Sequence, residues 1–298
     1  MSDFISRVAS APISWGICEV PDWGAMLPTD RVLGEMAGLG FTATELGAPG
    51  FLPDDPEALK DKLAEFGMIL LGGFTPVILH DPAERDATIK SATATARLFQ
   101  QAGATKFVSS VVQDMDWSIP RPLSAAEHKH MAEMFGVIDD ICGEYGLEQV
   151  LHPHVQTLVE TKDDIARVLD SCDVHFCLDT GHIAFGGQDP VEFAKMAFER
   201  VGHVHLKDIR LDMVPAVLRR EVSLMAATQA GVFTTLGDGD VDILGVVQTL
   251  ESAGYRGWYV IEQDTAITAG FPAEGEGPVH QVAASLKYLT DVVAPTLG

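Results

Sequence analysis

The chain has 298 residues, of which 47% are hydrophobic, and its 43 acidic and 20 basic residues give a formal net charge of −23. This composition excludes a disordered chain, and the scarce, scattered basic residues argue against an enzyme that binds nucleic-acid phosphates. The N-terminus lacks a signal-peptide pattern, and no apolar run is long enough to span a membrane. We therefore expect a cytoplasmic protein with four reduced cysteines and no contact with nucleic acid or membrane.

Short apolar segments and longer helical segments alternate along the whole chain. The predicted strands are Arg7–Ala11, Ala43–Leu46, Ile69–Thr75, Lys106–Val112, Glu148–His152, Val174–Asp179, Gly202–Leu206 and Trp258–Glu262. The predicted helices include Pro56–Phe66, Asp81–Ala102, Ser124–Tyr145, Lys162–Ser171, Pro190–Arg200 and Ile243–Ala253, with an added helix at Pro215–Ala230. Eight strands with interleaved helices predict an α/β fold, a single (β/α)₈ TIM barrel that spans residues 1–298 as one domain.

Four of the predicted strands end on a type of residue that can bind a metal. They are His152, Asp179, His205 and Glu262. Because the strands of such a barrel point their carboxyl ends at one face, these side chains are expected to converge. Two histidines and two carboxylates form a mixed set of ligands for one divalent ion such as Mn, Co, Fe or Zn. Each residue also has a structural explanation: a buried core histidine for His152, and a helix cap for Asp179.

Other polar residues near the predicted strand ends are candidates for contact with a substrate. His154 and Lys207 lie close in sequence to His152 and His205, and His182 follows Asp179 by three residues. For Lys207, a salt bridge to Asp208 or to another nearby carboxylate is an equally good interpretation.

Three further candidates lie earlier in the chain. Glu45 ends another predicted strand and either holds substrate hydroxyls or pairs with a Lys or Arg. His80 is either a site residue or a loop histidine. Trp15 follows the first strand and either lines the pocket or closes the barrel.

Several motifs resemble those of the xylose-isomerase-like barrel superfamily of sugar isomerases and epimerases, and more closely its inosose dehydratase branch. They are Ala11-Pro-Ile-Ser-Trp-Gly16, Glu45-Leu-Gly47, Leu79-His-Asp-Pro82, His152-Pro-His154 with Val159-Glu-Thr161, Leu178-Asp-Thr-Gly-His182 with Gly186-Gly-Gln-Asp-Pro190, His205-Leu-Lys207, Gly231-Val-Phe233 and Ile261-Glu-Gln-Asp264. The Asp-Thr-Gly-His motif and the terminal Glu are specific to the superfamily. His-Pro-His, where a Glu is more usual, points to the dehydratase-like branch.

The resemblance implies that His152, Asp179, His205 and Glu262 bind the metal and that His182 contacts a substrate oxygen. With His152 where the epimerases carry a second glutamate, we expect dehydration of a keto-inositol or related keto-polyol through an enediolate. Glu262 is the expected base, and His154 or Lys207 the acid. The alternatives are a ketose or sugar-phosphate isomerase or 3-epimerase, a C-glycoside lyase subunit, and a non-catalytic sugar-binding barrel. A homo-oligomer is compatible with all of them.

Overall fold

The computed structural model describes residues 3–297, in which strands and helices alternate as the sequence predicts. The strands are β1 (Val8–Ser10), β2 (Ala43–Thr44), β3 (Ile69–Leu70), β4 (Phe74–Val77), β5 (Lys106–Val111), β6 (Glu148–Leu151), β7 (His175–Asp179), β8 (Val201–Leu206), β9 (Asp208–Ile209), β10 (Phe233–Thr234) and β11 (Tyr259–Ile261). The helices are α1 (Thr29–Gly38), α2 (Pro56–Glu65), α3 (Arg85–Ala102), α4 (Ala125–Glu144), α5 (Lys162–Ser171), α6 (Thr180–Phe185), α7 (Pro190–Met196), α8 (Val214–Leu218), α9 (Leu224–Gln229), α10 (Ile243–Ala253) and α11 (Pro278–Tyr288).

The main sheet is parallel, in the order β3-β2-β1-β11-β8-β7-β6-β5-β4, and a short segment between its two outer strands closes it into a barrel. The Leu71 amide donates to Thr44 O in β2, and its carbonyl accepts from Lys106 N in β5. Gly72 O accepts from Leu46 N, and Gly73 O accepts from Val108 N. β3 and β4 are therefore two parts of the third barrel strand, and the predicted TIM barrel is confirmed.

The core lies between this sheet and the surrounding helices. The edge of Phe99 in α3 meets Phe107 in β5, and Phe176 in β7 meets Phe193 in α7, with ring centroids 6.1 and 5.4 Å apart. All four rings are fully buried, so each helix stabilises the barrel by covering the outer face of a strand. Within residues 3–297, no helix combines the length and the apolar composition that crossing a bilayer requires.

The helices begin and end at the expected signals. Ser124 and Thr161 form capping boxes at the starts of α4 and α5, with Glu127 and Asp164 completing them. At the ends of α3 and α10, glycines adopt the left-handed conformation that a residue with a side chain rarely takes. These local signals explain why the predicted bounds of α4, α5 and α10 agree closely with the structure. The predicted helices over Asp81–Ala102 and Pro190–Arg200 are each too long, because α3 begins at Arg85 and α7 ends at Met196.

The predicted helix over Pro215–Ala230 is wrong, because two short helices, α8 and α9, occupy this segment. A turn separates them, and Arg220 in that turn has a φ of 60°. Ser223 then caps α9 by accepting a hydrogen bond from Ala226 N at 3.1 Å. A left-handed residue followed by a new cap cannot lie inside one continuous helix.

The segment that contains these two helices is an insertion between β9 and β10, which pair antiparallel. The carboxylate of Asp208 fixes its base by accepting hydrogen bonds from the backbone amides of Gly237, Gly239 and Val241 at 2.9–3.0 Å. Buried side chains of the insertion form a second small apolar cluster together with Val155 and Phe185. The insertion therefore packs against the carboxyl ends of β6 and β7.

We predict that Gly72→Ala destabilises the protein, because the new Cβ would lie 2.2 Å from the carbonyl oxygen of Lys106 at the point where the barrel closes. Overpacking against backbone costs about 1–3 kcal/mol. The matched control is Gly136→Ala in the exposed middle of α4, where a Cβ meets nothing within 4 Å. This control should gain about 0.5–1 kcal/mol. Urea denaturation measures both, and equal stabilities would refute the role of Gly72.

Candidate functional site

The four predicted metal ligands lie on four adjacent strands, β6, β7, β8 and β11. Asp179 in β7 is the register partner of His205 in β8, while His152 and Glu262 directly follow β6 and β11. Since parallel strands end at one face of the barrel, this order gathers all four side chains at its carboxyl end.

The four side chains each direct one nitrogen or oxygen toward a common region, and these atoms lie within 4.8 Å of one another. His152 Nε2 is 3.2 Å from Asp179 Oδ2, which is 3.7 Å from His205 Nδ1. His205 Nδ1 is 2.5 Å from Glu262 Oε2. Atoms about 2.0–2.2 Å from one ion lie about 3–3.6 Å from one another, so the first two separations are close to those of a metal site and the His205–Glu262 pair is closer than that.

Within residues 3–297, two of these atoms make no hydrogen bond of acceptable geometry. His205 Nδ1 and Glu262 Oε2 are buried and face each other as a close ion pair at 2.5 Å. Unsatisfied buried polar atoms are rare because each loses its contact with water. A divalent ion would give both atoms a partner at once, so the donor set fits a metal.

Glu45 supports His205 from the opposite edge of the imidazole ring. Its Oε1 accepts hydrogen bonds from His205 Nε2 at 2.9 Å and from His203 Nε2 at 2.8 Å. A proton on His205 Nε2 leaves Nδ1 free as a ligand atom, the usual effect of a carboxylate behind a metal-binding histidine. The alternative of a pairing between Glu45 and Lys or Arg is wrong, because Glu45 pairs with two histidines; this position favours support of His205 over contact with substrate hydroxyls.

The charges around His205 also favour a cation. Burial alone would lower its pKa, but Cys177, Glu262 and Glu45 together raise the pKa of His205 well above its ordinary value. A proton here compensates buried negative charge. A divalent ion bound at Nδ1 would supply the same compensation and displace that proton.

The position of Asp179 is compatible with both roles that the sequence left open, and it shows the helix cap directly. Its Oδ2 faces His152 and His205, while Oδ1 accepts the backbone N–H of His182 at 2.7 Å and caps α6. The cap fixes the orientation of the carboxylate, because rotating the ligand oxygen away would break the first turn of the helix. The same turn brings His182 back over the site.

Lys207 is a fully buried ammonium beside the four predicted ligands. It donates to Asp264 Oδ1 at 2.7 Å and lies 2.9 Å from His182 Nε2. It is also 3.5 Å from an oxygen of Asp179 and one of Glu262. Although burial alone would lower it, these three carboxylates raise the pKa of Lys207, which stays protonated. The suggested partner Asp208 is wrong, because Asp208 binds backbone amides instead.

Asp264 is a site residue that the sequence analysis missed. It follows Glu262 by two residues, so strand-like alternation could have placed both carboxylates on one side. Together with His154 and His182 it forms a second set of nearby metal-binding groups. The Lys207 ammonium contacts two members of that set and already supplies a positive charge to it.

His154 is oriented as a hydrogen-bond acceptor toward the site. Its Nδ1 lies 2.6 Å from Val155 O, to which it donates, so Nε2 keeps its lone pair. Burial lowers the pKa of His154 to about 3. Its ring lies 3.9 Å from that of His182, measured between centroids. A neutral His154 with this tautomer does not fit the predicted role of proton donor.

Phe74 and Trp117, which the sequence did not indicate as site residues, form an aromatic surface next to the histidines. Their rings stack 6.0 Å apart, and both lie near His154, at 5.6 and 6.2 Å. Phe74 also meets His152 edge-on at 5.8 Å. Trp117 carries no strand or helix signal, so only the folded loop places it here.

The two remaining candidates lie in other surroundings. Trp15 is fully buried, and its indole N–H donates to Glu35 in α1 at 2.8 Å. This position fits closure of the barrel rather than a pocket wall. His80 is buried, and its Nε2 lies 3.2 Å from the side-chain nitrogen of Gln113 on the loop after β5.

Comparison with known proteins agrees with this architecture. Inosose dehydratase from Geobacillus kaustophilus strain HTA426 is 34% identical over 278 residues, which cover 88% of this chain and 89% of the relative. Among solved structures, the probable 3-DHS dehydratase AsbF from Bacillus anthracis has a TM-score of 0.70 at 16% identity and covers 96% of this chain and 99% of its own. L-ribulose 3-epimerase has a TM-score of 0.68 at 14% identity, covering 95% and 93%.

The two structural likenesses support the fold alone, whereas the sequence relationships go further. Residues 33–291 match a family model described as xylose isomerase-like TIM barrel. The resemblance that the motifs indicate, to this superfamily and to inosose dehydratases, is thereby confirmed. The chain belongs to the xylose isomerase-like TIM-barrel family.

Proposed function

We propose that this protein is a metal-dependent dehydratase that removes water from a keto-inositol or a closely related keto-polyol. The observation that carries the proposal is a carboxylate and an ammonium side by side, with Glu262 Oε2 3.5 Å from Lys207 Nζ, at the edge of the ligand cluster. The pair offers one group that accepts a proton and one that donates a hydrogen bond. The similarity to proteins named inosose dehydratase supports the choice of substrate class.

In this proposal His152, Asp179, His205 and Glu262 hold one divalent ion, of which Mn, Co, Fe and Zn suit the mixed nitrogen and oxygen ligands. When bound, such an ion acts as a Lewis acid that makes the hydrogen next to a carbonyl more acidic. Glu45 keeps His205 in the tautomer that binds. Asp179 is held by the first turn of α6.

Glu262 is the proposed base. Its side chain is 12% exposed, whereas those of the other three ligands are at most 2% exposed, so it borders the space a substrate can enter. Its carboxylate takes the proton from the carbon next to the carbonyl, and an enediolate results. His152 occupies the place of a second glutamate in the epimerases, so the opposite face of the substrate lacks a matching carboxylate.

Lys207 is the proposed donor to the departing hydroxyl at the next carbon. Its ammonium carries protons, while His154 presents a lone pair and therefore accepts a hydrogen bond from a substrate hydroxyl. The hydroxyl leaves as water with a proton from Lys207. The proton that Glu262 took from the substrate then passes to Lys207, 3.5 Å away, so both groups regain their starting protonation states. His182 remains a proposed contact to substrate oxygen.

We expect the purified protein to convert 2-keto-inositol to a product lighter by one water, and to leave inositol unchanged because inositol lacks the carbonyl that an enediolate requires. Mass spectrometry in deuterated water, with Mn or Co added, measures both water loss and exchange. Exchange without water loss, or interconversion of ketose stereoisomers, would move the assignment to the isomerase or epimerase alternative. Activity on neither class, with binding alone, would indicate a sugar-binding barrel.

Asp179→Asn should abolish tight metal binding and activity while the fold persists, because Asn can still cap α6 but is neutral. Glu262→Gln should likewise lose activity, since the amide cannot serve as base. Elemental analysis should find close to one divalent ion per chain in the wild type and less in both variants. Glu57→Gln, an exposed carboxylate on α2, is the control for loss of charge. Wild-type turnover at limiting metal in either site variant would refute the assignment.

Glu45→Gln should weaken metal binding without removing a ligand. The amide oxygen still accepts from His205 but is neutral, and loss of such support typically lowers metal affinity about 10–100-fold. Isothermal titration of the metal-free protein with Mn or Co measures this affinity directly. An unchanged affinity would mean that His205 does not need Glu45 in order to bind.

A further inference from the structure

Strained backbone is concentrated near the site. Among residues 3–297, the non-glycine residues with positive φ are Asp22, Trp117, Gln156 and Arg220, at 64°, 57°, 67° and 60°. Such conformations are unfavourable for most side chains, so surrounding contacts must hold them. Trp117, Gln156 and Arg220 lie on three different loops at the carboxyl ends of the strands.

A single buried carboxylate contacts two of these residues, and one of them, Gln156, contacts the third. Gln156 donates from its side chain to Trp117 O at 3.1 Å and from its backbone to Glu160 Oε1 at 2.7 Å. Arg220 donates to both carboxylate oxygens of Glu160, at 3.1 and 2.6 Å. Glu160 is 8% exposed, and its bidentate pair is the stronger kind of ion pair. We call these contacts the Glu160–Arg220 clamp.

The clamp joins the insertion to the loop that carries His154. Arg220 belongs to the turn between α8 and α9, whereas Gln156 and Glu160 lie between β6 and α5. Apolar packing follows the same path, since Val155 is in one buried cluster with Val214 and Val217 of the insertion. Gln156 then extends the connection to the loop after β5 through Trp117.

The end of this connection is the aromatic surface beside the histidines. Trp117 stacks on Phe74 at 6.0 Å and lies 6.2 Å from His154. A flat aromatic surface there can cover the C–H face of a ring-shaped polyol, while the histidines meet its hydroxyls. Trp117 itself enters the clamp only through its backbone carbonyl, so its ring is free to form this surface.

We propose that Glu160 and Arg220 are positioning residues that set substrate binding by holding the Trp117 loop and the His154 loop in their strained conformations. The substrate class, a cyclic keto-polyol, rests on the proposed function; the mechanical link between clamp and Trp117 does not. Neither residue belongs to the proposed ligand set, so the clamp acts through the groups that it holds.

Arg220→Asn is the informative variant, because Asn tolerates positive φ while the guanidinium is lost. We expect KM for 2-keto-inositol to rise about tenfold with little change in kcat, as for loss of binding common to ground and transition states. Arg220→Lys should be intermediate, since it keeps the charge but not the bidentate geometry. The matched control is Arg219→Asn, whose ion pair with Glu221 is exposed and should leave KM unchanged.

Tryptophan fluorescence tests the clamp without any substrate. Acrylamide quenching should increase in Arg220→Asn and in Glu160→Gln relative to wild type. The increase should disappear when Trp117→Phe is added to either variant, which assigns it to Trp117. In the double variant Glu160→Gln/Arg220→Asn the effect should equal that of one change, because both break the same contact.

The two measurements separate the clamp from the proposed function. If no substrate is turned over but quenching changes as expected, the clamp stands and the proposed function fails. If Arg220→Asn is folded by circular dichroism and has wild-type quenching at Trp117, the clamp is refuted even in an active dehydratase. Wild-type KM in an active Arg220→Asn enzyme would also refute its role in binding.

Discussion

Compensation of buried negative charge is the constraint on which this site depends. Four carboxylates, of Glu45, Asp179, Glu262 and Asp264, are buried or nearly buried at the carboxyl end of the barrel together with one ammonium, that of Lys207. A buried charge without a partner costs several kcal/mol. Lys207 contacts three of these carboxylates, and two histidines contact the fourth, Glu45. The raised pKa of His205 reflects this excess of negative charge.

The barrel itself makes such a concentration of charge tolerable. Its strands are held by apolar packing on the outer face, so the polar carboxyl ends need not stabilise the fold. Asp179 has one oxygen in the first turn of α6 and the other in the ligand cluster. Glu45 holds two histidines with a single oxygen. Such contacts hold Asp179 and His205, two of the predicted ligands, in place before anything binds. They also limit how far these side chains can move when one of them is replaced.

The fold and the convergence of four residues follow from short-range patterns in the sequence. Apolar runs that end in His152, Asp179, His205 and Glu262 identify strands and their polar ends, and the parallel arrangement brings the ends together. The partners of these residues depend instead on distances across the barrel. Glu45 is far from His205 in the chain, so its pairing with two histidines rather than Lys or Arg has no local signal.

The loops over the site were the hardest part to predict from the sequence, because their conformations also depend on contacts between residues that are distant in the chain. The break between α8 and α9 depends on Arg220 adopting a positive φ, and that conformation is held by Glu160 on another loop. Local propensity alone favours continuing the helix, because arginine is a good helix former. The tertiary contact overrides that preference, as tertiary contacts commonly do at functional sites.

In the proposed function, the groups that react and the groups that select the substrate lie in different parts of this barrel. The proposed base and donor, Glu262 and Lys207, lie at the strand ends and are fixed by buried charges. The aromatic surface of Phe74 and Trp117 depends in part on a loop that Gln156 contacts, which responds to changes remote from those charges. Under the proposed function, substitutions in the insertion would therefore alter which substrate fits while the reacting groups keep their arrangement. A barrel of this kind can admit related reactions on different small molecules, because the loops vary more freely than the strand ends.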